Sequence, residues 1–118
     1  MPGEVHTMKF GLNAGTIAKI NAIFSGWPDV KQVIIYGSRA KGNYRNGSDI
    51  DLTLVGDAIT QSQMLKIANE LDDLLLPYKI DLSLLRQIED NDLIEHIKRV
   101  GMVFYERAAG AKKNTVAP

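Results

Sequence analysis

The chain has 118 residues, 14 Lys plus Arg against 14 Asp plus Glu, and no cysteine. That length accommodates one domain with one core, and a chain without cysteine has no disulfide framework, thiolate metal site or thiol nucleophile. A formal charge of zero argues against strong, charge-driven nucleic-acid binding, and the longest apolar runs, Val33–Tyr36 and Met102–Tyr105, fall far short of the roughly 18 residues that span a bilayer.

Met1–Phe10 carries Glu4, His6 and Lys9 and no apolar stretch, unlike a secretory signal; residues 1–11 read as a loose leader. Ile17, Ile20, Ile23 and Phe24 recur at helical spacing, which predicts a helix over Asn13–Ser25 with Asn13 or Thr16 as its N-cap and Gly26 as its stop. Val33–Tyr36 is a continuous apolar run, expected as a strand buried on both faces. A polar loop with an Asn46-Gly47 turn follows. Asp49–Val55 then alternates, with Ile50, Leu52 and Leu54 on one face and Asp49, Asp51 and Thr53 on the other. Thr60 and Gln63 form a capping-box pattern ahead of a helix whose stripe is Met64, Ile67, Ala68, Leu71, Leu74 and Leu75. Lys79–Leu85 alternates again, with Ile80, Leu82 and Leu84 opposite Asp81 and Ser83. Leu93, Ile94, Ile97 and Val100 place a last helix over Asn91–Val100, closed by Gly101. Met102–Tyr105 is a short final strand or an apolar clip. Residues 108–118 are small, basic and polar, expected as a disordered tail. The order predicts an α/β (α+β) domain over residues 12–107 with three principal strands.

Chemistry concentrates on one sheet face. Period-two alternation sets Asp49 and Asp51 on the same side, and helices over the aliphatic face would leave them and Asp81 on the opposite one. Carboxylates gathered on one sheet face repel, and an all-oxygen cluster suits a hard divalent cation, Mg²⁺ or Mn²⁺. Strict alternation equally suits an ordinary solvated sheet, so the pattern alone does not decide. Gly37-Ser38 ends a buried strand and opens a helical turn, a place where backbone N–H groups and a hydroxyl meet phosphate. Arg39, Lys41 and Arg45 add positive charge to the same loop. The segment Gly37-Ser38-Arg39-Ala40-Lys41-Gly42 lacks the ending of a Walker loop.

Together, Gly37-Ser38, ten intervening residues, Asp49-Ile50-Asp51-Leu52 and the later Ile80-Asp81-Leu82 resemble the signature of the DNA-polymerase-β-like nucleotidyltransferases, in particular their minimal prokaryotic branch. The resemblance spans roughly Leu12 to Tyr105. It implies a palm-like fold, a small mixed sheet with helices on one face and an active site on the other. It also implies that Asp49 and Asp51 bind two Mg²⁺ ions, and that Asp81 completes one of them and orients or deprotonates an attacking hydroxyl. Gly37 and Ser38, helped by Arg39, would hold the β- and γ-phosphates of a nucleoside triphosphate. The resemblance further implies a cytoplasmic antitoxin of a prokaryote that transfers AMP from ATP to a tyrosine of a HEPN-type toxin within a hetero-oligomer. A different class of reading is a non-catalytic module that neutralises its partner by contact. A third, transfer to a small molecule or nucleic-acid end, fits less well with the neutral charge and the short segment after Asp81. His6 and His96 lack ligand-like spacing and read as polar side chains facing solvent; Trp27, Tyr36 and Met102–Tyr105 read as packing residues.

Overall fold

Val33 and Ile35 face one side of their strand, Ile50, Leu52 and Leu54 the same side of the next, and these residues form the centre of the core. The computed structural model describes residues 8–108. Residues 1–7 of the expected leader and the tail from residue 109 lie outside the described residues, whereas 8–11 are not loose: Met8–Lys9 forms a strand and Phe10 packs against the core. Two short strands, β1 (Met8–Lys9) and β2 (Leu12–Asn13), pair antiparallel and lead into helix α1 (Ala14–Ser25). Asn13 is the N-cap, its Oδ1 accepting the Thr16 N–H at 2.8 Å, and Gly26 closes the helix. Strand β3 (Gln32–Tyr36) runs into the short helix α2 (Gly37–Lys41), and β4 (Ile50–Val55) returns antiparallel to β3. Helix α3 (Gln61–Asp72) then crosses to β5 (Ile80–Leu84), parallel to β4. A 3-10 turn (Leu85–Gln87), helix α4 (Asn91–Val100) and strand β6 (Met102–Glu106) complete the order.

The main sheet is mixed, in the order β5-β4-β3-β6. Met102–Tyr105, left open as strand or clip, is therefore a fourth strand, antiparallel to β3 with a register shift between Val33 and Ile34. Helices α1 and α3 bury Ile20, Phe24, Ile67 and Leu71 against the aliphatic face. The expected capping box holds α3: the Gln63 N–H donates to Thr60 Oγ1 at 3.0 Å, and the Thr60 N–H donates back to Gln63 Oε1 at 3.1 Å. That helix ends three residues before Leu75, which the apolar stripe had included. The chain turns instead, and Leu75 is 87% exposed in the left-handed region at φ 54°.

Helix α4 does not join the other two. Ile94 and Ile97 border an apolar cleft that also takes in Ile34, a β3 residue on the opposite face from Val33 and Ile35. So α4 lies over part of the face that carries the aspartates. Thr53, expected on an open face, is fully buried there. Its Oγ1 donates to the Ser83 carbonyl at 3.4 Å and accepts from Ser83 Oγ at 2.9 Å. The beginnings of β4 and β5, where Asp51 and Asp81 stand, are open parts of this face. Among the described residues no helix is long and apolar enough to cross a membrane.

Candidate active site

The parallel pairing of β4 and β5 sets Asp51 directly beside Asp81, with Thr53 beside Ser83 further along the same face. Neighbouring strands run about 4.8 Å apart, so the two carboxylates are close neighbours. Asp49 falls one residue ahead of β4 and is exposed, two positions before Asp51 and thus on its side. On the other flank, the antiparallel pairing sets Tyr36 beside Asp51. Gly37 follows at φ 76°, a backbone conformation open mainly to glycine. The Asp51 carboxylate fills the space that a Cβ on Gly37 would need. The sequence signature is thus one physical notch: the turn after β3 has no side chain because the carboxylate of the adjacent strand lies against it.

The electrostatics of the site follow from this crowding. Burial, then the negative charges of Asp81 and Asp49, push the Asp51 carboxyl above the ordinary carboxylate range, with the positive charge of Lys79 opposing. The Tyr36 phenol is raised by burial and by the charges of Asp51 and Asp81, against a hydrogen bond with the Ser83 side chain. Among the described residues no three His, Asp or Glu side chains form a ready-made metal cage. The three aspartates nevertheless suit a hard divalent cation: they offer only carboxylate oxygens, and the central one carries the crowding of negative charge that such a cation relieves.

Two residues behave differently from expectation. Arg39, expected at the phosphates, is 2% exposed and turned into the protein. Its guanidinium donates to the carbonyls of Ser48 (3.1 and 3.0 Å), Phe10 (3.0 Å) and Asn46 (3.3 Å). It also lies over the rings of Tyr44 and Tyr78, 5.3 and 4.8 Å from their centroids. A buried guanidinium is retained where its fork of donors is matched by acceptors, and here those acceptors are loop carbonyls. Arg39 therefore fixes the loop that ends at Asp49. Lys41, at the end of α2, and Arg45, on that loop, are exposed. The second departure is His96, set aside from the sequence. It reaches from α4 to the phosphate turn, where Nε2 accepts the Gly37 N–H at 3.1 Å and the ring meets Tyr36 edge-on at 6.1 Å. Its only sequence signal is a position next to the buried Ile97 on a strongly amphipathic helix, too little to find it.

The polymerase beta nucleotidyltransferase family model matches residues 18–109. The chain belongs to that family. The match takes in all three aspartates and the Gly37-Ser38 turn of this nucleotidyltransferase. Its fold is similar to that of a chain in a toxin–antitoxin complex crystallised with AMP-PNP (22% identity over 89% of this chain and 82% of that one, TM-score 0.62). It is also similar to a chain in the complex of a tri-AMPylated Shewanella oneidensis HEPN toxin with its MNT antitoxin (18%, 86% and 78%, TM-score 0.58). A third similar fold is a chain of the MntA–HepT toxin–antitoxin pair (18%, 86% and 79%, TM-score 0.57). At such identities the likeness is one of fold. No curated protein matches the nucleotidyltransferase.

Proposed function

We propose that this nucleotidyltransferase moves AMP from ATP to a tyrosine hydroxyl of a HEPN-type toxin and so acts, in a prokaryotic cytoplasm, as the antitoxin of that partner. The observation that carries this reading is the in-register pair Asp51 and Asp81, with Asp49 beside them and the Asp51 carboxylate seated against Gly37 of the turn. The partner and the nucleotide are argued from the fold neighbours, which include an AMP-PNP complex and an AMPylated HEPN toxin.

Asp49 and Asp51 would hold two Mg²⁺ ions, with Asp81 completing one of them. Bound there, the ions supply charge stabilisation to the attacking and leaving oxygens of an in-line displacement. Gly37 and Ser38 form the turn that receives the β- and γ-phosphates, with the Ser38 hydroxyl as a donor. The acceptor's oxygen bonds to the α-phosphorus, the bond from that phosphorus to the bridging oxygen breaks, and pyrophosphate leaves. Asp81 orients the acceptor hydroxyl and takes its proton. Arg39 contributes by holding Ser48, and hence Asp49, in place. Catalysis of this kind is largely positioning and charge stabilisation.

The test is transfer of label from α-labelled ATP to the toxin in the co-purified complex. Asp49→Asn with Asp51→Asn should lower transfer roughly a hundredfold or more while preserving the fold. Normal transfer by the double variant would defeat the reading. Lost transfer with full neutralisation of the toxin would instead favour a contact-only antitoxin.

A further inference from the structure

We propose that His96 is a positioning residue of the nucleotide site: by accepting the Gly37 N–H it holds the phosphate turn and the Asp51 carboxylate in their interlocked, nucleotide-ready arrangement. This rests on the nucleotidyltransferase reading of the site given above.

Gly37 begins α2, and the preceding residue, Tyr36, makes no side-chain cap. The first N–H groups of a helix have no partner within it. Here the Gly37 N–H finds its acceptor 59 residues away, in His96 Nε2. With Nε2 accepting, the ring is the neutral tautomer that carries its proton on Nδ1. Two features fix its aim. Tyr36 packs edge-on against the ring, and the next residue along α4, Ile97, is buried. The peptide so held is the one whose positive φ leaves room for the Asp51 carboxylate. Rotation of that peptide would move the turn and displace the carboxylate together. The Gly37 N–H is thereby committed to the protein, and contact with phosphate falls to Ser38. Helix α4 thus does for the turn what a local cap does for an ordinary helix, but from a different part of the chain.

Two variants separate this role from simple packing of α4. His96→Ala removes the acceptor; His96→Gln retains a carboxamide oxygen able to take the same hydrogen bond. Isothermal titration with Mg-ATP should show His96→Ala binding about tenfold more weakly than wild type, the scale of one lost hydrogen bond. His96→Gln should recover most of that affinity. Amide exchange at Gly37 should quicken in His96→Ala and return towards the wild-type rate in His96→Gln. Wild-type affinity in a folded His96→Ala variant overturns the proposal. So does equal weakening in both variants with unchanged exchange at Gly37, which would mark a packing role. If His96→Ala does not fold, the Gln variant decides, and a tenfold loss there with slow Gly37 exchange overturns the proposal. A wild type that binds no Mg-ATP removes the nucleotide reading and this proposal with it, whereas binding retained in His96→Ala removes only the role of His96.

Discussion

Asp51 occupies the most contested position in the molecule, half-buried between Asp81 and Asp49 with Gly37 at its back. Its carboxyl is raised, so in the metal-free protein the folded state holds that proton more tightly than the unfolded chain. The sign follows from linkage: this contribution is most favourable at acid pH and is lost as pH climbs through the carboxylate range. Asp51→Asn removes the charge but keeps the shape. In thermal melts without divalent metal it should raise Tm by a few degrees near neutral pH, and the gain should fade towards about pH 4. An equal gain at both pH values would show that repulsion is not its source. The same residue-scale view explains what the sequence hid. Asp49, Asp51 and Asp81 were legible because alternation is a local property and their spacing matches a family signature. Arg39 looked identical to a phosphate-binding arginine, since its charge is visible in the sequence but its acceptors are carbonyls of Phe10, Asn46 and Ser48 brought together only by folding.

At the level of elements, the caps and the glycine stops at Gly26 and Gly101 were legible, and the end of α3 was not. Asn13 and the Thr60–Gln63 pair act within their own turn, and both cap as expected. The end of α3 was obscured because Leu74 and Leu75 continue its apolar stripe in sequence, while the chain turns before them. Leu74 N–H donates to the Leu71 carbonyl and Leu75 N–H to that of Asp72, and Leu75 is left at positive φ in solvent. A leucine there carries backbone strain and gains little from burial. Leu75→Asn, which tolerates the left-handed region, should therefore raise the unfolding free energy by about 1 kcal/mol in urea titrations. A loss of stability would mean that the exposed leucine makes a contact worth more than the strain. Helix α4 was legible as a helix but not in its placement, since an amphipathic stripe says that one face is covered without saying by which layer.

Over the whole molecule, the fold class and the face that bears the carboxylates followed from pattern, whereas the closure of the fold did not. Arg107, just beyond β6, donates to the carbonyls of Val30 (3.0 Å), Phe24 (3.1 Å), Ser25 (3.3 Å) and Trp27 (2.9 Å). It thereby ties the end of the last strand to the C-terminal end of α1 and the connector after it. Nothing local in the sequence marks that role, because its acceptors lie some 80 residues away. Arg107→Ala should lower stability by roughly 1.5–3 kcal/mol, the range for hydrogen bonds to a charged group, with transfer activity per folded molecule unchanged. Urea unfolding beside the labelling assay checks both parts.

The ladder between β4 and β5 joins two kinds of residue that have no chemical business with each other. Leu52 stands beside Leu82 on the core side of the ladder that stands Asp51 beside Asp81 on the other. Repulsion between two carboxylates gives them no reason to stay aligned, while the leucines have every reason, because a slip of one position would turn the greasy row outward. The aim of the acidic pair is therefore inherited from a layer of side chains that never meets a substrate. Drift at those hidden positions would blur the reaction centre while leaving each of its own residues untouched.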